Sequence, residues 1–134
     1  MRKSFEKFRE RQENLVRQYG KEYEEKQHNR GKLTARERIL LLFDTGTFEE
    51  VDAYSPSAPT SFGKAVCSYG DGVIAGFGQV NGRQVFAYSQ DFNVQGGSLG
   101  SVHAAKIMKI QDMALKTGSP VVGLIDSGGA RIQE

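Results

Sequence analysis

The rhythm of apolar and polar positions changes twice along the chain. In residues 1–29, Phe5, Phe8, Leu15, Tyr19 and Tyr23 recur at spacings of three, four and seven among charged neighbours. That predicts one long helix with a narrow apolar stripe, broken at Gly31. So polar a helix buries little of itself alone, so residues 1–31 read as a charged docking arm. Thr34 and Glu37 then form a T-x-x-E capping box before the apolar run Ile39-Leu40-Leu41-Leu42-Phe43. A short helix is expected from Ala35, ended by Asp44-Thr45-Gly46-Thr47. Phe48-Glu49-Glu50-Val51 reads as a short strand, and residues 52–64, with Pro56 and Pro59, as a loop.

From Ala65 the period shortens. Residues 72–80 and 83–89 are apolar runs flanking Asn81-Gly82. Asn-Gly between two such runs signals a hairpin, because a type I′ turn needs positive φ at both central residues. A helix is predicted from about Leu99 to Lys116, stopped by Gly118-Ser119-Pro120. Val121-Val122-Gly123-Leu124-Ile125 is continuous and apolar, the pattern of a strand buried on both faces. Strand 83–89, helix 99–116 and strand 121–125 make a βαβ unit, with parallel strands and a right-handed crossover. Ligands in such folds bind beyond the carboxyl ends of the strands. Two glycine clusters, Gly96-Gly97 and Gly128-Gly129, fall there.

Composition narrows the class. The 134 residues are 38% hydrophobic and 25% charged, enough apolar content for one packed domain and against disorder. No stretch approaches the length of a membrane helix, and the charged N-terminus lacks the apolar core of a secretory signal, so the expected compartment is the cytoplasm. One cysteine, Cys67, allows no internal disulfide and no CxxC zinc pair. Residues 1–38 hold 12 Lys+Arg against 7 Glu, whereas residues 39–134 hold 6 against 9 Asp+Glu. Acidic residues dilute the basic arm and no aromatic interleaving suits base stacking, which argues against nucleic acid. Of 16 glycines, 12 lie between Gly70 and Gly129, so a glycine-rich body follows a glycine-poor arm.

Asp126-Ser127-Gly128-Gly129-Ala130-Arg131 is the first candidate site. A strand opening into glycines and then a helix exposes backbone N–H groups to an approaching oxygen. Such donors, aided by a helix dipole, stabilise an enolate or a tetrahedral oxyanion. The alternative is a tight strand–helix turn with no ligand. Gly96-Gly97-Ser98-Leu99-Gly100, at the start of the other helix, is a second anion or carbonyl site. It is no P-loop, lacking Gly-Lys-Ser/Thr. Gly76 and Gly78 read as strand glycines that allow close packing. Ser127 lacks the G-x-S-x-G setting and a placed histidine, His103 reads as a packing or capping residue, His28 as solvated, and Cys67 as a small apolar residue.

The words Gly70-Asp71-Gly72-Val73, Phe86-Ala87-Tyr88-Ser89-Gln90-Asp91-Phe92, Gly96-Gly97-Ser98-Leu99-Gly100, Val102-His103-Ala104-Ala105-Lys106-Ile107, Leu115-Lys116-Thr117-Gly118-Ser119-Pro120 and Asp126-Ser127-Gly128-Gly129-Ala130-Arg131-Ile132-Gln133-Glu134 share one order and spacing. With Lys32-Leu33-Thr34-Ala35-Arg36-Glu37-Arg38, they resemble the N-terminal part of biotin-dependent acyl-CoA carboxyltransferase subunits. The likeness is to propionyl-CoA carboxylase β chains and methylmalonyl-CoA decarboxylase α chains. It is close over residues 30–134 and looser before.

The resemblance implies an α/β, crotonase-like fold of ββα units. Residues 32–134 would be the N-terminal part of the family's first domain, truncated where a helix has only begun at Arg131-Ile132-Gln133-Glu134. It implies an acyl thioester oxygen held by the backbone N–H groups of Gly128, Gly129 and Ala130, with Gly96, Gly97 and Ser98 near the acyl-CoA. It also implies biotin on a separate carrier domain or protein, a biotin carboxylase subunit as partner, a homo-oligomer of the full-length chain, no metal, and no turnover by these residues alone. Biotin itself would take the α-proton, so no protein base is required. The chain departs from bacterial acetyl-CoA carboxylase β subunits in lacking a four-cysteine zinc ribbon, and has Ser101 where relatives usually carry Glu. Rival readings are the α subunit of a sodium-pumping methylmalonyl-CoA decarboxylase, a crotonase-type hydratase, and a non-catalytic assembly module contacting subunits through its arm.

Overall fold

The computed structural model describes residues 2–18, 20–59, 68–132 and 134. The expected single N-terminal helix is two: α1 (Arg2–Gln18) and α2 (Lys21–His28), with extended Gly20 capping the second. The arm docks through polar contacts as much as through its stripe. Gln18 pairs its amide with the backbone of Tyr69, at 3.1 Å through Nε2 and 3.0 Å through Oε1. Tyr23 donates its hydroxyl to Asp91 Oδ2 at 2.6 Å. Phe8 meets the Tyr54 ring, while Phe5 stays exposed. His28, expected in solvent, is half-exposed and paired with Glu37 at 2.9 Å. The Thr34 N–H and that histidine hold the Glu37 carboxyl below its usual range.

Helix α3 (Ala35–Leu42) starts at the predicted capping box, with both reciprocal bonds formed. Strands β1 (Glu49–Glu50), β2 (Val73–Val80), β3 (Arg83–Gln90) and β4 (Val121–Leu124) form one sheet in that order. The hairpin turn is the expected one: Asn81 and Gly82 sit at φ 51° and 76°. Helix α4 (Ser101–Thr117) follows, closed by Gly118 in the left-handed conformation, and returns the chain to β4, parallel to β3. Cys67 lies outside the described residues.

Alternation along the strands gives the sheet two apolar faces, each covered by one helix. Ile74, Val85 and Ala87 pack with Ala35, Ile39 and Phe43 on the α3 side. Ala75 and Phe86 pack with Ile110 and Ala114 on the α4 side. The strand glycines let these layers close: a Cβ on Gly78 would stand 2.9 Å from the Phe43 ring. One expectation fails. β4 is not buried on both faces: as the edge strand it packs Val122 and Leu124 toward α3, while Val121 is partly exposed. Continuous apolarity does not distinguish an edge strand from a central one.

Lys106 of α4 is buried and donates to the carbonyls of Gly70 and Val73. Burial brings its pKa down to about 8, against the opposing pull of Glu50, Asp52 and Asp71. The unfolded chain keeps this proton to about 10.4. Between the two values the unfolded state binds more protons, so stability rises with pH. From pH 8 to 9.5 the wild type should gain about 1.5 kcal/mol more than Lys106→Met in urea unfolding; parallel slopes would refute the buried-ammonium account. Gly78→Ala should lose about 1–3 kcal/mol by overpacking against Phe43, and a neutral result in the same assay would show that the ring yields.

Candidate functional site

Both glycine clusters follow carboxyl ends of parallel strands. After β3 the chain makes a tight turn at Gln95–Gly97, with Gly96 and Gly97 at φ 66° and 62°, and enters α4 from extended Ser98 and Gly100. After β4 it runs through Ile125, Asp126 and Ser127 to Gly128, Gly129 and Ala130. The loops are stitched together. Gly128 N–H donates to Gly96 O at 2.9 Å, Leu99 N–H to Gly129 O at 2.8 Å, and Arg131 N–H to Leu99 O at 3.0 Å. Gly97 permits the approach, since a Cβ there would lie 2.2 Å from Asp126 O.

Between the loops lies a concavity of about 470 Å³, lined by Gly96, Ser98, Gly128 and Ala130 with Phe92 and Ile132 among their neighbours. The structure thus brings four of the six sequence-predicted site residues to one surface. Gly97 is buried behind it, and Gly129 N–H turns to Ser127 Oγ at 3.1 Å. A larger concavity, about 590 Å³, lies against α1 beside Arg17, Gln18 and Tyr69 and reaches Gln95 at the edge of the first glycine turn.

The three amides expected to act together are unequal. Those of Gly128 and Gly129 already have protein acceptors. Ala130 bridges Leu99 in parallel fashion, and the bonds on either side leave its own N–H outside that pairing. Among the described residues the Ala130 N–H has no protein partner. The backbone on either side of Ala130 is spent on Leu99, through Gly129 O and the Arg131 N–H.

Behind the loops is a buried polar network that the sequence reading missed. Asp71, at φ 48°, is fully buried. Its Oδ1 accepts from Arg131 Nη1 at 2.6 Å and its Oδ2 from the His103 N–H at 2.9 Å. His103 Nδ1 donates to Asp71 O at 2.9 Å, so Nε2 is the acceptor facing Gln90 Nε2 at 3.2 Å. Gln90 Oε1 in turn accepts from the Asp126 N–H at 3.3 Å. Burial lowers the His103 pKa and keeps the ring neutral, which this chain of donors requires. His103 is the packing residue expected, and it also ties α4 to Asp71 and, through Gln90, to Asp126 of the second loop. Gly70-Asp71-Gly72 was the available signal, a carboxylate between glycines, but its partners lie 32 and 60 residues away.

Nearby, Asp126 faces Lys32 at 3.3 Å and Arg38 at 3.8 Å, tying the start of α3 to the second loop. Burial pushes the Asp91 carboxyl up, partly countered by the Tyr23 hydroxyl. Among the described residues no group of three or more His, Cys, Asp or Glu is placed to hold a metal. No helix among them is long and apolar enough to cross a membrane.

Known proteins share this fold. Residues 26–134 match the family described as the carboxyl transferase domain. The chain is 60% identical over 111 residues to a propionyl-CoA carboxylase beta chain of Cereibacter sphaeroides, covering 82% of this chain and 22% of that one. It is 52% identical over 116 residues to methylmalonyl-CoA decarboxylase subunit alpha of Veillonella parvula, covering 86% and 23%. It therefore spans less than a quarter of the length of these curated relatives. Among solved structures it superposes on transcarboxylase 12S, a hexamer described with methylmalonyl-coenzyme A and methylmalonic acid bound. The TM-score is 0.84 at 46% identity, over 92% of this chain and 25% of that one. The α/β fold is accordingly crotonase-like, and the chain belongs to the carboxyl transferase domain family.

Proposed function

We propose that the full-length protein is a carboxyltransferase component, moving a carboxyl group between biotin and a short-chain acyl-CoA such as propionyl-CoA. In this reading the thioester carbonyl sits in the concavity between Gly96–Ser98 and Gly128–Ala130. One observation carries it: the two glycine turns close on each other around a single surface lined by Ala130, whose N–H their pairing leaves without a partner.

Adding or removing a carboxyl group at the α-carbon passes through an enolate-like state whose charge gathers on the thioester oxygen. A fixed amide donor meets that charge more strongly than it meets the neutral carbonyl, so it lowers the barrier instead of merely tightening binding. The Ala130 N–H is assigned that role. Gly128 and Gly129, whose amides are already engaged, shape the turn that aims it. Gly96 and Ser98 form the opposing wall, and Phe92 and Ile132 offer apolar contact to the acyl chain. Biotin, when delivered, supplies or accepts the carboxyl group. A separate biotin carrier, a biotin carboxylase subunit and self-assembly are part of the same proposal. The decarboxylase relatives fit the same carbonyl site, because loss and gain of the carboxyl share one enolate.

Gly128→Ala tests the site with little cost to the fold. Its Cβ would stand 3.5 Å from Gly96 O, an ordinary contact, while facing the lined surface. In the full-length protein the thermal midpoint should stay within about 3 °C. Propionyl-CoA affinity by calorimetry should fall at least about tenfold, some 1.4 kcal/mol; unchanged affinity removes the thioester from this concavity. Gly97→Ala, by contrast, should destabilise the fold by about 2–4 kcal/mol through its clash with Asp126 O and its positive φ, and a wild-type urea midpoint would contradict the seam described above.

A further inference from the structure

We infer that Arg131 is a positioning residue for the carbonyl site, setting the separation of its two walls; this rests on the thioester reading of that concavity. The side chain is 1% exposed, and each guanidinium nitrogen is engaged. Nε donates to Ser98 Oγ at 3.2 Å and Nη2 to Ser98 O at 2.9 Å. Nη1 donates to Asp71 Oδ1 at 2.6 Å and Glu134 Oε1 at 2.8 Å. One planar group thus grips the wall residue Ser98 twice, while its own backbone follows the wall residue Ala130.

The other end of the linkage is equally fixed. Asp71 also accepts from the first turn of α4, so the guanidinium is referenced to that helix. Ser98 spends its hydroxyl hydrogen on Gln95 O at 2.7 Å, leaving a lone pair for Arg131 Nε. Glu134 also accepts from the Ser101 N–H at 2.6 Å and the Ser101 hydroxyl at 2.8 Å, anchoring the start of α4 to the same cation. With two carboxylates facing it and its side chain outside the lining of the concavity, Arg131 acts through Ser98 and Ala130 and does not touch substrate. The fork geometry is what matters: lysine supplies the charge for Asp71 but cannot hold Ser98 at two points. An amide displaced by about 1 Å forfeits much of its effect on a developing oxyanion.

The test compares Arg131→Lys and Arg131→Met in the full-length protein, with amide hydrogen exchange beside steady-state kinetics on propionyl-CoA. For Arg131→Lys the expected result is kcat lowered at least about tenfold with KM within about threefold. Exchange should quicken in residues 96–100 and 128–131 while the β2–β3 hairpin and the middle of α4 keep their protection. Arg131→Met should lose more of both, having no charge for Asp71. Unchanged exchange in the two loops, or quickened exchange with wild-type kcat, overturns the inference. So does a uniform loss of protection, which marks a purely structural residue. Failure of the thioester reading looks different: Gly128→Ala then leaves propionyl-CoA affinity intact whatever Arg131→Lys does to exchange.

Discussion

The buried Asp71–Arg131 ion pair is the contact on which the arrangement of the site depends. Removing two charges from water costs several kcal/mol per ion, and mutual attraction offsets this only when the remaining donors and acceptors are met. Here most are met: Asp71 receives the guanidinium on one oxygen and a helix N–H on the other, and four of the five Arg131 guanidinium N–H groups have acceptors. Such a network is costly to half-form, so it selects one arrangement of the two loops over near alternatives. Its position behind the concavity, with no part in the lining, lets it fix the geometry of the walls while leaving the surface itself open.

Glycine does the complementary work of letting backbones approach. Gly78 admits the Phe43 ring against the sheet, and Gly97 admits Asp126 O against the first loop. These are steric requirements of particular contacts, and they explain why the body is rich in glycine while the arm is poor in it. The same closeness places backbone donors where side chains would otherwise stand. The proposed site, resting on a main-chain amide, would leave little side-chain signature and show in sequence only as glycine after a strand.

The local elements were legible because their causes are local. Thr34 and Glu37 satisfy each other's backbone within one turn, and Asn81-Gly82 permits a turn that few other pairs allow. The errors came where the deciding contact was distant. Gly20 divides the arm into two helices, and Gln18 and Tyr23 meet Tyr69 and Asp91 far along the chain. The apolar run at β4 fits a central strand as well as an edge, and only sheet order separates them.

The sequence by itself determined the secondary elements, the βαβ order and the two glycine turns beyond strand ends, since each follows from propensity, capping or turn chemistry within a few residues. It also carried the family words that the comparisons match. Tertiary structure alone decided which amide stays unpaired, which glycines face the concavity, and that Asp71, His103, Gln90 and Arg131 form one network. Those outcomes depend on partners 13 to 60 residues apart whose burial makes every unmet donor expensive, and no local pattern encodes which distant group will meet it.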